Sequence, residues 1–279
     1  MLPKHLEHWL APAKLNLFLR VLGRREDGYH NLQTLFQLLD YGDRLAFSVR
    51  QDGGLRRQTD FPEVSESDDL CVRAADVLQR ESNTPLGVDI FLDKKLPLGG
   101  GLGGGSSDAA TTLVALNHLW NCGFNKDELA AMGRELGADV PVFVYGATAW
   151  AEGIGEELTP VSLPKRWYVV IKPAVEVSTG TIFNDPELTR DCHPITIADF
   201  NASGSENVIQ PLVARRYPEV KEAINWLEQF APARMTGTGS CIFAALESRF
   251  EVRDVLDQLP ADFTGFVAPS MQYSPLYLL

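Results

Sequence analysis

The sequence lacks the features that would place a protein in a membrane or on a nucleic acid. It has no uninterrupted run of about 18 apolar residues, the length that a membrane-spanning helix needs. The first residues, MLPKHLEHWLAPAK, carry charges and histidines where a signal peptide is apolar, and they are not Arg- and Ser-rich like a transit peptide. The 37 acidic residues outnumber the 25 basic ones, and the formal charge of −12 argues against binding nucleic acid or an anionic membrane. We therefore expect a cytoplasmic protein with neither partner.

Cysteine is scarce, and its four copies are scattered. Cys71, Cys122, Cys192 and Cys241 form no C-x-x-C pair, and no histidine stands near them at metal-ligand spacing. We expect four reduced thiols, mostly in apolar surroundings. Internal repeats and low-complexity tracts are also missing.

Length and element order predict an α+β fold with two domains. The chain has 279 residues, of which 45% are apolar and 22% charged, as in an ordinary globular protein. Strand and helix patterns do not alternate regularly in the first half, which argues against a doubly wound parallel sheet. Gly155, Pro160 and Pro164 cluster where periodic apolar residues are few, so we expect domains at 1–160 and 161–279.

Local patterns predict individual elements. Alternation in KLNLFLRV indicates a strand at 14–21, and Asp-Gly in RREDGYHN indicates a tight turn before further strands at 32–39 and 44–49. A helix is expected from Ser106 or Ser107 to Asn121. In DVPVFVYG, Pro141 argues against a helical conformation at Val140.

The most informative segment is rich in glycine. Six of the seven residues from Gly99 to Gly105 are glycine, followed by Ser106 and Ser107. Such density suits a backbone that lies close against a ligand, and bare N–H groups at a helix N-terminus favour a polyphosphate. The two hydroxyls can reach a phosphate oxygen or a magnesium ion. A flexible loop between strand and helix is the plain alternative.

Two better-known phosphate motifs fit this loop poorly. Gly99, Gly101 and Gly104 satisfy G-x-G-x-x-G, but a second helix follows where a dinucleotide fold and a nicotinamide-dependent dehydrogenase would need a strand. Ser106 stands where a Walker loop needs its lysine. The cations of this site must therefore come from elsewhere, and Lys94 and Lys95 are candidates, although they equally fit a charged strand end.

Three separated motifs resemble those of one kinase family. PLGGGLGGGSS (97–107) looks like the phosphate loop of the galactokinases, homoserine kinases, mevalonate kinases and phosphomevalonate kinases. PAKLNL (12–17) and TGTGS (236–240) resemble the N- and C-terminal motifs of that family, in the same order. The DGYH turn, GADVPVF and RMTGTGSCIFA narrow the resemblance to the branch that acts on a cytidylyl substrate, and a substrate without a base would not need that turn.

The resemblance implies a fold, a reaction and cofactors. The N-terminal domain would resemble the second domain of ribosomal protein S5, and the C-terminal domain would be ferredoxin-like. The reaction would be ATP- and Mg²⁺-dependent phosphorylation of the 2-hydroxyl of cytidylyl methylerythritol, a step in isoprenoid precursor synthesis, by a monomer or weak homodimer. A related kinase with another substrate and a non-catalytic binding protein of the same fold are the alternatives.

The resemblance also implies roles for individual residues. Asp139 would accept the proton of the substrate hydroxyl, and Lys14 would offset charge on the transferring phosphoryl group. Asn16 would hold the polyol, and a structural hydrogen bond is its alternative. Tyr29 and His30 would bind the cytosine, with Phe183 as a second stacking residue, although an aromatic pair on an exposed turn equally fits plain packing. Thr238 and Gly239 would close over phosphates or substrate. The nucleotide would lie on Pro97, Leu98, Gly99, Gly100, Gly101, Leu102, Gly103, Gly104, Gly105, Ser106 and Ser107.

Overall fold

The computed structural model of the chain describes residues 2–203 and 206–279. The described strands are β1 (Trp9–Arg24), β2 (His30–Arg50), β3 (Leu55–Arg57), β4 (Gly87–Asp93), β5 (Ala149–Glu152), β6 (Glu157–Pro160), β7 (Trp167–Pro173), β8 (Ala233–Met235), β9 (Ile242–Leu246) and β10 (Phe263–Met271). The described α-helices are α1 (Leu70–Ser82), α2 (Gly104–Leu119), α3 (Lys126–Leu136), α4 (Val140–Tyr145), α5 (Thr179–Asn184), α6 (Ile197–Ser203), α7 (Gln210–Arg216), α8 (Pro218–Leu227) and α9 (Arg249–Leu256). A 3₁₀ turn covers Pro275–Leu278. None of the described helices is long and apolar enough to cross a bilayer.

The first half builds a sheet around a long hairpin. Strands β1 and β2 pair antiparallel, with the predicted turn between them and Gly28 at φ +89°. β4 and β5 each pair with β2, while β3 and β6 extend the sheet from β4 and β5. Helices α1 to α4 cover this sheet, because the inward-facing apolar residues of the strands and helices form one core cluster.

The second half builds a four-stranded antiparallel sheet in the order β10-β7-β9-β8. Residues of α7, α8 and α9 pack against it in a second apolar cluster. The end of β10 returns to the first half, where Ser270 pairs with Leu39 of β2. The mixture of sheets and helices agrees with the predicted α+β class. Since β6 ends in the first sheet at Pro160 and β7 begins the second, we propose domains at 1–160 and 161–279.

Three local predictions were wrong. β2 continues through Gly42 as one strand instead of two, and glycine is required there because a Cβ would lie 1.9 Å from the Ala11 carbonyl oxygen. α2 begins at Gly104, since Gly103 at φ +73° is its N-cap. Val140 is helical, because Pro141 lies in the first turn of α4, where a backbone N–H has no intrahelical acceptor.

The cysteine prediction is confirmed: all four thiols are free, with Cys71 and Cys241 buried and Cys122 and Cys192 half-buried.

Candidate active site

A cavity of about 420 Å³ brings the predicted motifs together. Its walls come from β1 and β2, the glycine loop, the turn before α4, helix α5 and the turn between β8 and β9. The lining residues are Lys14, Asn16, Leu19, Gly28, Tyr29, His30, Leu32, Thr34, Phe36, Gly101, Ser106, Ala138, Asp139, Ile154, Gly155, Thr179, Phe183, Gly237 and Thr238.

The ammonium group of Lys14 is held in one position at the bottom of this cavity. Its Nζ lies 3.1 Å from Asp139 Oδ2, and it donates to Asn16 Oδ1 at 2.7 Å and to the Gly101 carbonyl oxygen at 3.1 Å. Three acceptors match the three N–H donors of a lysine. The Lys14 side chain is only 4% exposed and its Nζ also lies 5.2 Å from the centre of the Phe36 ring. A buried ammonium with this many partners is a fixed charge.

Asp139 faces the cavity because of its place before α4. It is the N-cap residue of that helix, but its side chain makes no capping hydrogen bond. Its carboxylate is 34% exposed and lines the cavity beside Ala138. The carboxylate pairs with Lys14 but makes no capping bond and faces the cavity, so it can accept a proton from a ligand there.

Hydrogen bonds connect the three separated motifs at this point. The Gly101 carbonyl oxygen accepts from Lys14 Nζ and, at 3.2 Å, from Thr236 Oγ1. Thr236 Oγ1 in turn accepts from the backbone N–H of Asn16 at 2.9 Å. The first strand, the glycine loop and the turn after β8 are therefore fixed relative to one another.

The glycine loop leads into the N-terminus of α2. The backbone N–H groups of Gly104, Gly105 and Ser106 have no intrahelical acceptor, and the N-cap Gly103 offers no side chain to accept from them. Glycine is required at Gly101, since a Cβ there would lie 2.2 Å from the Thr236 carbonyl oxygen. Gly101 of the loop and Ser106 at the helix end line the cavity. Helix N-termini of this kind favour anions.

Not every residue of the predicted loop faces this cavity. Gly101 and Ser106 line it, while Leu102 is buried and Pro97 lines a separate cavity of about 280 Å³. Ser107 is also fully buried, and its Oγ has no hydrogen-bond partner among the described residues.

Lys94 lies in a buried ionic cluster behind the loop. Its Nζ is 2.6 Å from both Asp43 Oδ2 and Asp108 Oδ2, and Asp43 Oδ1 also accepts the backbone N–H of Leu96 at 2.8 Å. Burial raises the pKa of Asp108 well above its usual range, and nearby Asp43 adds to the effect while Lys94 opposes it. Lys94 therefore supports the loop from behind and is not a free cation. Lys95 pairs with Asp93 at 3.2 Å.

The opposite end of the cavity is aromatic. Tyr29 is 58% exposed on the turn before β2, and His30 is buried with its ring centre 5.1 Å from that of Phe183. A turn hydrogen bond from the Tyr29 N–H to Asp27 Oδ1, at 3.1 Å, shapes this segment. The arrangement leaves an exposed aromatic and a His–Phe pair lining one space, which suits a flat ring.

The remaining predicted residues fall into two groups. Thr238 lines the cavity and its Oγ1 lies 2.9 Å from Thr179 Oγ1. Gly239 does not appear among the lining residues, and a Cβ there would lie 2.8 Å from the Met235 sulfur. Asn16 lines the cavity, but its amide is largely engaged by Lys14 and by Thr34 Oγ1, the latter at 3.0 Å.

Sequence reasoning missed several residues of the site. Thr34 and Phe36 lie two apart on β2, opposite β1, and the alternation of that strand could have placed them on the same face as Lys14 and Asn16. Arg190, which donates to His30, gave no signal because it lies 160 residues away in an irregular segment.

Two comparisons concern the family and its fold. The family model described as "GHMP kinases N terminal domain" matches residues 69–147, and the model described as "GHMP kinases C terminal" matches residues 195–265. The fold is similar to that of the Methanococcus jannaschii mevalonate kinase, at a TM-score of 0.70 and 15% identity, covering 96% of this chain and 100% of that one.

Other relatives are much more similar in sequence. The 4-diphosphocytidyl-2-C-methyl-D-erythritol kinase of Azoarcus sp. (strain BH72) is 57% identical over 96% of this chain and 95% of its own length. The kinase of the same name from Pseudomonas syringae pv. syringae (strain B728a) is 56% identical, with the same two coverages of 96% and 95%. A crystal structure of 4-(cytidine 5'-diphospho)-2C-methyl-D-erythritol kinase superposes with a TM-score of 0.81 at 36% identity, covering 95% of this chain and 99% of that one. Together with the three linked motifs of the cavity, these similarities show that the chain belongs to the GHMP kinase family.

Proposed function

We propose that the chain transfers the terminal phosphate of ATP to the 2-hydroxyl of 4-(cytidine 5'-diphospho)-2-C-methyl-D-erythritol, giving the 2-phosphate and ADP. The observation that carries the proposal is the 3.1 Å Lys14–Asp139 pair, which lies in one cavity with the open N-terminus of α2 and the aromatic end. The names of relatives more than 50% identical over nearly the whole chain support the same substrate.

The polyphosphate would lie at the glycine loop. The N–H groups of Gly104, Gly105 and Ser106 offer donors to phosphate oxygens, and the helix dipole adds roughly half a positive charge at this point. Phosphate oxygens can come close to the backbone of the loop because residues such as Gly101 carry no side chain. Residues 97–107 would therefore hold ATP largely through the backbone.

Asp139 and Lys14 would carry out the transfer between them. Asp139, exposed to the cavity, accepts the proton of the substrate hydroxyl as the new P–O bond forms, and general-base help of this kind contributes roughly 10²–10⁴ in rate. Lys14 donates toward the charge that develops on the transferring group. Because Asn16 and the Gly101 carbonyl fix the ammonium, it needs no rearrangement during the reaction.

The donor set at this end suits a magnesium ion. The Ser106 hydroxyl lines the cavity, and a hard oxygen ligand of this kind, together with phosphate oxygens, is what Mg²⁺ prefers. A bound Mg²⁺ would neutralise charge on the transferring phosphoryl group. Chelation of divalent cations with EDTA should stop ADP release, and restored Mg²⁺ should recover it; turnover that persists in EDTA would contradict the proposal.

The substrate would extend from the pair toward the aromatic end. Asn16 and Thr238 are placed to contact the polyol or its phosphates, with Gly239 shaping the turn behind Thr238. Tyr29 and Phe183 would stack on the cytosine, and His30 would hydrogen-bond its edge. Stacking on aromatic side chains with one polar contact is a common way to bind a single base.

We further propose that the protein works in the cytoplasm, in isoprenoid precursor synthesis, as a monomer or weak homodimer. Light scattering across a concentration series would test the oligomeric state. A tight dimer that persists on dilution would contradict this part of the proposal.

A side-by-side assay of ADP release tests the activity. The purified chain is given Mg-ATP with the cytidylyl substrate, homoserine or mevalonate. We expect rapid turnover with the first and only background ADP release with the others. Preference for homoserine or mevalonate would assign the chain to another branch of the family.

A further inference from the structure

An arginine that does not line the cavity hydrogen-bonds to the ring of His30. Arg190 Nε donates to His30 Nε2 at 3.1 Å. Its terminal nitrogens donate to the backbone carbonyls of Phe183 and Asp185, both at 2.8 Å, and of Leu188 at 3.1 Å. Among the described residues that line the cavity, His30 is present and Arg190 is absent. Arg190 therefore contacts the histidine without lining the cavity.

This contact determines which nitrogen of His30 carries the proton. A guanidinium group has only donors and stays protonated in proteins, so His30 Nε2 must be the acceptor in this bond. A neutral imidazole has one donor and one acceptor, and its proton must then reside on Nδ1. Burial lowers the pKa of His30, and the charges of Arg190 and Arg24 lower it further, which favours the neutral ring. His30 therefore presents a fixed Nδ1–H donor.

We propose that Arg190 is a positioning residue that selects cytosine over uracil by fixing this tautomer. The inference rests on the proposed function, in which His30 meets the edge of the base. The two bases share the O2 acceptor but differ at N3, where cytosine has an acceptor that can accept from Nδ1–H. Uracil carries a hydrogen on N3, and two donors would then face each other.

The expected discrimination follows from the cost of that mismatch. A buried polar group left without its partner costs about 1–3 kcal/mol, which corresponds to roughly 5- to 150-fold in kcat/KM. Without Arg190, the His30 ring could carry its proton on either nitrogen and accept from uracil N3–H. The ratio of kcat/KM between the two substrates should then move toward one.

The ratio of kcat/KM between the cytidylyl substrate and its uridylyl analogue separates tautomer selection from a purely structural role of Arg190. Arg190→Met keeps the unbranched stem and removes every donor. Because Arg190 also binds the carbonyl of Phe183, the variant should use both substrates less well. If Arg190 only supports this segment, kcat/KM for the cytidylyl substrate and for its uridylyl analogue would fall equally, and the unchanged ratio would overturn the proposal. We expect the ratio to drop by roughly 5- to 150-fold.

A matched control is available in Arg234. Its guanidinium also donates to a backbone carbonyl, that of Leu17 at 3.2 Å, and it makes no described contact with His30. Arg234→Met should leave the ratio at its wild-type value. A ratio that changes equally in both variants would also contradict the proposal.

Nitrogen-15 NMR of histidine-labelled protein tests the tautomer directly and needs no substrate. We expect His30 with a protonated Nδ1 and an unprotonated Nε2, with both forms populated in Arg190→Met. A wild-type proton on Nε2 would overturn the inference. If the wild-type protein showed this tautomer but did not phosphorylate the cytidylyl substrate, the proposed function would fail while the Arg190–His30 assignment remained.

Discussion

The replacement Asp139→Asn should stop phosphoryl transfer without weakening ATP binding. The amide has the same size as the carboxylate but cannot accept the hydroxyl proton as a base. Lys14 should stay in place, because Asn16 Oδ1 at 2.7 Å and the Gly101 carbonyl at 3.1 Å remain as acceptors. A general base contributes roughly 10²–10⁴ in rate, so kcat should fall by that factor, or about 3–5 kcal/mol in activation free energy.

ATP affinity should be unchanged or slightly higher in this variant, because a negative charge next to the phosphate site has been removed. Steady-state ADP release gives kcat, and isothermal titration with Mg-ATP gives Kd. Thermal unfolding tests the fold: the pair involves a carboxylate that is 34% exposed, so its loss should cost no more than about 1 kcal/mol. A kcat within tenfold of the wild-type value would remove Asp139 as the base.

Asp93→Asn is a close control for the same chemical change. The Asp93 side chain is 35% exposed and pairs with Lys95 at 3.2 Å, against 34% and 3.1 Å for Asp139 and Lys14. It does not line the cavity described above. The control should keep kcat close to the wild-type value, and an equal loss in both variants would show that the effect is general electrostatics.

Three further predictions concern the loop, the base and the buried cluster. Gly101→Ala should destabilise the chain more than Gly99→Ala in chemical denaturation. Both positions have positive φ, which costs about 1–2 kcal/mol for alanine, but only Gly101 adds a clash, worth about 1–3 kcal/mol. Equal losses of stability would argue against the close loop contact. Tyr29→Ala should raise KM for the cytidylyl substrate about 5- to 150-fold, because roughly 1–3 kcal/mol of stacking is lost, and it should hardly change KM for ATP. An equal rise in both KM values would contradict a contact between Tyr29 and the base. Asp108→Asn should be more stable than wild type in thermal unfolding, and the difference should grow as pH rises above about 4. The reason is that the raised pKa of Asp108 makes folded wild type lose stability as the unfolded carboxyl ionises. A difference that does not grow with pH would contradict this.

Much of the fold follows from local sequence patterns, and the exceptions have long-range causes. Asp69 caps α1, and Ser248 and Glu251 form a capping box at the start of α9, and both are patterns of neighbouring residues. The break expected in β2 is absent because the strand keeps pairing with β1 through Gly42. No pattern within β2 itself shows that Ala11 lies against that glycine.

The motifs predicted some of the residues that meet in the cavity, among them Lys14, Tyr29 and Asp139, but not the contacts that hold them. Lys14 and Asn16 share a strand face, so their proximity follows from alternation. The bond from the Asn16 N–H to Thr236 spans 220 residues, and no local pattern contains it. Arg190 is the same case: its role depends on where an irregular segment crosses a strand end, which only the folded chain shows.

The electrostatics of the cavity explain how a chain with a charge of −12 could hold a polyphosphate. Among the described lining residues, Lys14 and Asp139 carry the formal charges when His30 is neutral, and these two cancel. Lys94, the cation that sequence position made most attractive, is shared by two buried carboxylates and leaves that cluster with no excess positive charge. In the proposed function, attraction for phosphate would then come from the oriented N–H groups at the start of α2 and from a bound divalent ion. A backbone dipole acts only at close range, and close range requires residues without side chains. The density of glycine, more than any lysine, is therefore what would make this loop a phosphate site.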